Sequence, residues 1–358
     1  MIPKIGHVTA KHLVSYIGSY KKVFSTNKKT LMEIPGIGEI LANSIIESNV
    51  LDKAEAELEF INQNNISPIF YLDAEYPQRL KYCDDAPILL YTKGHINFNQ
   101  NKVISIVGTR NATANGIAFC EKLVSELKTR NHSPIIVSGL AYGIDITAHK
   151  AALDNQLQTI AVLGHGLDII YPASHKKIAN NIINNGALVS DFPSNSIREK
   201  SNFLKRNRII AGLADATIVI ESANKGGSLV TANIANSYNR DVFAVPGRIN
   251  DTYSEGCNNL IKANKAAMLT SINDLEYILG WDSPKKNKIV QRNLFVELSP
   301  DEKIITEILA KEEELPIDTI SLKSGMPTSK ISSLLLNLEF SGLVKPLPGN
   351  TYKLISFV

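Results

Sequence analysis

Between residues 102 and 247 the sequence alternates short apolar runs with helical patterns, and five of the six runs lead into glycine-bearing loops. The runs are Val103 to Val107, Ile135 to Val137, Ile160 to Leu163, Leu188 to Val189, Thr217 to Ile220 and Val242 to Val245. Helices are predicted over 115–130, 144–154, 174–185, 201–213 and 228–238. Strands apolar at consecutive positions are covered on both faces. A helix between successive strands supplies the crossover that parallel pairing needs. The pattern predicts an α/β fold built on a Rossmann-like, doubly wound, mostly parallel sheet, with ligands at the C-terminal strand ends.

Those ends carry the chemistry. The first strand runs into Gly108-Thr109-Arg110, which offers close backbone approach, a hydroxyl and a charged fork. The second runs into Ser138-Gly139 and on to Gly143-Ile144-Asp145, the third into Gly164-His165-Gly166-Leu167-Asp168. Gly226-Gly227-Ser228 follows the fifth, and Pro246-Gly247 the sixth. Together these loops predict a backbone-lined anion pocket. Arg198 to Arg208 adds five bases against one acid, with Phe203 among them as a possible stacking ring. An equal alternative for Phe203 is a core aromatic at helical spacing with Ile210. The dinucleotide fingerprint Gly-x-Gly-x-x-Gly is missing, and no acid follows the second strand to hold a ribose, so no nicotinamide or flavin cofactor is expected. The seven histidines show no metal-ligand spacing, and no metal is expected.

The flanks differ in texture. Ile2 to Ala10 lines up with Ile34 to Ala42 at an offset of 32 residues, with five of nine positions identical. Each copy opens a helical pattern, and a further helix is expected from Asp52 to Asn62. Pro35-Gly36-Ile37-Gly38 looks like a helix-hairpin-helix turn, in which Gly36 and Gly38 offer bare N–H groups to a phosphate. Lys4 breaks the pattern of the first copy, which is expected to bind less well. Residues 64–100 hold two short strands, near Ile66–Leu72 and Ile88–Tyr91. A polar basic stretch over 281–298 reads as a linker. Pro300–Lys311, Ile317–Ser324 and Thr328–Phe340 then read as three helices, the last capped by Thr328-Ser329, before a hairpin turning at Gly349-Asn350. The expected domains are a helix-hairpin-helix (SAM-like) domain over 1–63, the Rossmann-like domain with an N-terminal extension over 64–280, and a winged-helix domain over 299–358.

At 44% hydrophobic and 20% charged residues, the 358-residue chain can build several cores. No apolar run is long enough for a membrane span or a signal peptide. Three scattered cysteines, Cys83, Cys120 and Cys257, suit buried thiols in a reducing cytoplasm.

The motifs, taken together, resemble the DNA-processing protein A (DprA/Smf) family. They are Ile106-Val107-Gly108-Thr109-Arg110, Ser138-Gly139-x-Ala141-x-Gly143-Ile144-Asp145, Leu163-Gly164-x-Gly166-x-Asp168-x-x-Tyr171-Pro172, Arg206 to Leu213 and Val245-Pro246-Gly247. The resemblance implies a cytoplasmic, non-enzymatic protein that binds incoming single-stranded DNA, protects it and helps load RecA recombinase during natural transformation. It also implies a homodimer formed through the Rossmann-like domain. It places DNA contacts at Arg110, at Lys200 or Lys176, and at Arg206 and Arg208, with Asn207 and Phe203 on the same segment. Gly108, Thr109, Ser138, Gly139, Gly227 and Ser228 would line the pocket, and Asp145 and Asp168 would shape its loops. The rival is an enzyme resembling the cytokinin-activating phosphoribohydrolases, whose Gly-Gly-x-x-x-Thr loop Gly226 to Thr231 imitates. Those enzymes carry a glutamate shortly after the threonine, whereas no acid occurs here between Glu221 and Asp241.

The net charge of +3 is an average over unlike segments. Residues 1–95 carry ten bases and eleven acids, 96–280 eighteen and fourteen, 281–298 four and two, and 299–358 six and eight. Residues 1–30 hold six lysines and no acid. Nucleic-acid contact is therefore expected at the helical start and at Arg198–Arg208. The acidic winged helix is expected to have a protein-contact or regulatory role.

Overall fold

The computed structural model describes residues 2–48, 50–281, 298–312, 314–347 and 350–355. They form two compact units, residues 1–283 and 284–358. Most of the expected linker lies outside the described residues.

The first unit opens with α1 (His7–Ile17), α2 (Tyr20–Ser25), α3 (Lys28–Met32) and α4 (Glu39–Ile46), closed around Leu13, Val23, Leu31, Ile34, Ile37, Ala42 and Ile45. The repeat is a repeat of backbone geometry. Gly6 caps α1 at φ −89°, ψ 178°, and Gly38 caps α4 at φ −85°, ψ 177°. Lys4, at φ 64°, adopts the left-handed conformation that Gly36 adopts at φ 84°. The first hairpin keeps its shape without the glycine. α5 (Leu51–Gln63) sends Ile61 into a core shared with Leu140, Ile146 and Leu163 of the sheet domain.

The sheet domain follows as β1 (Ser67–Phe70), α6 (Gln78–Lys81), β2 (Leu89–Gly94), β3 (Val103–Gly108), α7 (Ala114–Thr129), β4 (Ile135–Ser138), α8 (Ile144–Asp154) and β5 (Thr159–Val162). After a short 3-10 turn come α9 (Lys176–Asn184), β6 (Gly186–Ser190), α10 (Lys200–Leu213), β7 (Ala216–Ile220), α11 (Gly227–Ser237), β8 (Asp241–Ala244), α12 (Glu255–Lys262), β9 (Ala267–Met268) and α13 (Ile272–Ile278). The nine strands lie in the order β1-β2-β6-β5-β4-β3-β7-β8-β9. All pairs from β6 to β9 are parallel, and β2 and β1 extend one edge antiparallel. Residues 64–100 thus complete the sheet as an edge hairpin. The two-residue β9 was not foreseen, because so short an edge strand carries no periodicity.

Side-chain alternation along β3 sends Val103 and Val107 into one core and Ile104 and Ile106 into the other, as a doubly covered strand requires. Ser105 is satisfied by a hydrogen bond of 2.8 Å to Thr217 Oγ1. The three cysteines are free and buried. Among the described residues no helix is long and apolar enough to cross a membrane, and no group of three metal-ligand side chains gathers.

In the second unit, α14 (Pro300–Ala310), α15 (Ile317–Ser324) and α16 (Thr328–Phe340) pack with β10 (Leu315–Pro316), β11 (Val344–Leu347) and β12 (Thr351–Leu354), the winged-helix plan. Thr328 does not cap α16. Pro327 holds that position, and the Thr328 hydroxyl lies 3.4 Å from Ser321 Oγ. The expected turn residue Gly349 lies outside the described residues; Asn350 beside it has φ 53°.

Candidate nucleic-acid interface

From β3 the chain winds outward through β4, β5 and β6, then returns to place β7 on the other side of β3. This reversal opens a crevice at the C-terminal ends of β3 and β7. The two ends stay in contact: Gly108 pairs with Ile220 in register, and the Thr109 N–H donates to the Glu221 carbonyl at 2.8 Å. Gly108 is there for space, since a Cβ would stand 2.0 Å from the Ile220 carbonyl oxygen. Gly143 has φ +73°, and its Cβ would stand 2.2 Å from the Thr109 carbonyl oxygen. These two glycines let the β3 and β4 loops lie against each other.

The crevice is a cleft of about 590 Å³. Gly108, Thr109 and Arg110 form one wall, Lys200, Phe203 and Asn207 of α10 another, and Lys225 to Ser228 a third. Arg110 and Lys200 are exposed, as is Lys225, and none of the three has an ion-pair partner among the described residues. Gly226 caps α11 without a side chain, which leaves the first-turn N–H groups open at the positive end of an 11-residue helix. Asn207 Nδ2 donates to the Gly227 carbonyl at 3.2 Å and holds that loop to α10. Ser228 is tied to Ser222 Oγ at 2.9 Å. Three cations around an open helix N-terminus make an anion site.

Phe203 is both core and surface. It is half-buried, seals against Gly164, and its ring lies 5.9 Å from that of Tyr171 and 6.4 Å from that of His165. Tyr171, 47% exposed, carries the aromatic surface to the cleft mouth, where Arg198 stands 5.9 Å over its ring.

Four expectations about individual residues need correction. Arg206 lines the floor of the cleft but is only 4% exposed, its guanidinium taken up by backbone carbonyls. It donates to the Gly139 carbonyl at 2.8 Å and to the Val162 carbonyl. Burial lowers its pKa to about 10. Arg208 leaves the cleft for the opposite side, where it meets the Asp85 carbonyl and the Asp191 carboxylate. The i, i+2 spacing of these arginines on a helix rules out a shared face. Ser138 is fully buried and donates to the Ile106 carbonyl at 2.6 Å, tying β4 to β3. Gly139 is enclosed between the Arg206 guanidinium and Asp145. Burial pushes the Asp145 carboxyl up while Arg206 pulls it back. Asp145 shapes the loop as expected.

Lys176 is exposed at the start of α9 and does not line the cleft. The Pro246-Gly247 loop lines a separate cleft of about 530 Å³. Tyr253 borders both clefts and lies 3.2 Å from Asn111 Nδ2 through its hydroxyl. Tyr253, Asn111 and Lys225 went unrecognised in the sequence. Of these, only Lys225, directly before Gly226-Gly227, carried a local signal.

Gly36 and Gly38 are exposed on the second hairpin, but Glu39 occupies the first turn of α4 and pairs with Lys28 at 2.7 Å. The first hairpin has no acid in its first turn.

Residues 67–279 match the family model of DNA recombination-mediator protein A, 296–350 that of the DprA winged helix domain, and 1–48 that of a SAM-like helix-hairpin-helix tandem. Protein Smf of Synechocystis sp. is 33% identical over 98% of this chain and 95% of its own. DNA processing protein DprA of Streptococcus pneumoniae is 40% identical over 63% and 77%. The X-ray structure of the latter superposes with a TM-score of 0.64 at 32% identity, covering 76% of this chain and 98% of that one. DNA processing protein A of Helicobacter pylori, solved to explain its single-stranded DNA binding mode, superposes with a TM-score of 0.55 at 30% identity over 61% and 97%.

Proposed function

The chain belongs to the DNA-processing protein A (DprA/Smf) family, and from that premise we propose that it binds single-stranded DNA in the cleft between β3 and β7. It would protect the incoming strand during DNA uptake and help load RecA recombinase on it, acting in the cytoplasm as a homodimer through the Rossmann-like domain. The observation that carries the reading is Arg110: an exposed guanidinium without an ion-pair partner among the described residues, lining the same cleft as the open N-terminus of α11. Backbone N–H groups and a guanidinium recognise phosphate whatever base it carries. The neighbouring rings of Phe203 and Tyr171 offer sequence-tolerant stacking. A nucleotide-hydrolysing chemistry on the same fold wants a carboxylic acid free to act. Asp145, the carboxylate among the cleft residues, is engaged by the Gly139 N–H at 3.2 Å.

The deciding experiment is a titration with oligothymidylate at several salt concentrations. Neutralising three or four phosphates gives a log–log slope of about −2 to −3 for a single strand. Absence of binding at low salt would remove the proposal.

A further inference from the structure

The six lysines that precede the first acid, Glu33, are not accounted for by the cleft. Lys28 is paired with Glu39, and Lys11 also feels Asp84 and Asp85. Of the other four, Lys4 precedes α1, Lys29 lies on α3, and Lys21 and Lys22 lie together on α2. That short helix buries Val23 and leaves Tyr20 56% and Phe24 50% exposed, one turn apart, with Lys21 exposed beside them. Tyr20 and Phe24 together form a small exposed aromatic patch with lysines between them, the kind of feature that marks an interaction site.

The rings continue across the seam onto the edge strand. Tyr20 meets Phe70 edge-to-face at 6.1 Å, Phe70 meets Tyr71 at 4.8 Å, and Lys11 lies 5.9 Å over Tyr71. Phe70 and Tyr71 are only half-buried. The result is a row of three rings, with the Lys11 ammonium over Tyr71 and the exposed Lys21 next to Tyr20 in sequence. This is the layout of a single-strand platform, in which bases lie on aromatic faces and phosphates on bases of the protein. A duplex hides its base faces and gains nothing from the rings.

We infer that the seam formed by Lys11, Tyr20, Lys21, Phe24, Phe70 and Tyr71 is a second single-stranded DNA surface, separate from the β3–β7 cleft. The inference rests on the proposal that the chain binds single-stranded DNA, but it uses none of the cleft residues. It is tested on the full chain with oligothymidylate carrying single 5-iodo-deoxyuridines, by mapping photo-crosslinks in the wild type and in Arg110→Ala. Adducts on Tyr20, Phe70 or Tyr71 are expected in both proteins. Tyr20→Ala with Lys21→Glu should weaken the binding that remains in Arg110→Ala by about tenfold. Lys21→Glu alone, a fully surface change, should show a smaller loss in the same direction and stands in if Tyr20→Ala loosens the seam. Adducts confined to Tyr171 and Phe203, or complete loss of binding in Arg110→Ala, overturn the second surface and leave the cleft intact. Equal competition by duplex overturns it as well. Failure of the wild type to bind any strand overturns both.

Discussion

Arg206 and Asp145 hold the same residue from its two sides: the guanidinium donates to the Gly139 carbonyl at 2.8 Å, and the carboxylate accepts the Gly139 N–H at 3.2 Å. The β4 loop is thereby fixed against α10, and both charges are removed from water. The two buried charges attract through space, so removing the guanidinium leaves the carboxylate uncompensated and the Gly139 and Val162 carbonyls without their donor, at a cost of about 3–5 kcal/mol. Arg206→Met should lower the stability of the first unit by that amount in urea unfolding. Retention of wild-type stability with loss of DNA binding would instead return Arg206 to the binding surface.

Arg110 gives the opposite outcome. It is exposed at the cleft edge and supports no neighbour through an ion pair among the described residues, so Arg110→Ala should leave the unfolding curve unchanged. Removing one phosphate contact should weaken oligothymidylate binding about tenfold and flatten the salt slope by about 0.7. Fluorescence anisotropy of a folded variant with unchanged affinity would dismiss the cleft assignment.

The contrast between these two arginines marks the limit of what the sequence discloses. Alternating apolar runs located β3 to β8 and their helices, because strands buried on both faces have no other explanation. The glycine loops pointed to the right edge of the sheet, since Gly108 and Gly143 are demanded by backbone contacts local to the strand ends. Arg206 and Arg208 looked like part of one basic groove because charge is visible in a sequence and side-chain direction is less so. The helical rotation between them buries one in the cleft floor and sends the other to Asp191. Tyr253 reaches the cleft from 142 residues beyond its contact Asn111, a closure that only the fold supplies.

The second unit should be dispensable for strand binding. Its residues 299–358 carry six bases and eight acids, and Lys330, the only base of α16, is paired with Asp301 at 2.7 Å. A winged helix reading a duplex groove presents free bases on that helix. Deleting residues 299–358 should change oligothymidylate affinity less than threefold. A loss of two decades, measured side by side with the full chain, would assign the domain a direct part in DNA contact.

A last prediction concerns acid. His149 is fully buried, with Nδ1 2.7 Å from Thr159 Oγ1. The Thr159 hydroxyl gives its own proton to the Ile136 carbonyl at 2.8 Å, so Nδ1 must be the donor and Nε2 carries the lone pair. Nε2 has no partner among the described residues, and a proton there would create a second buried cation near Arg206. Burial therefore lowers the imidazole from 6.5 to about 3. The unfolded chain takes up this proton near pH 6.5 and the folded chain refuses it, so the stabilising effect is complete above that pH and declines as pH falls toward 3. The decline is about 1.4 kcal/mol per pH unit, or about 2 kcal/mol between pH 6.5 and 5. His149→Gln, which cannot titrate, should lose this part of the pH dependence whatever it costs at neutral pH. Urea unfolding of both proteins at pH 7, 6 and 5 reads the difference directly. Parallel stability curves would mean that the imidazole is hydrated or charged in the folded protein.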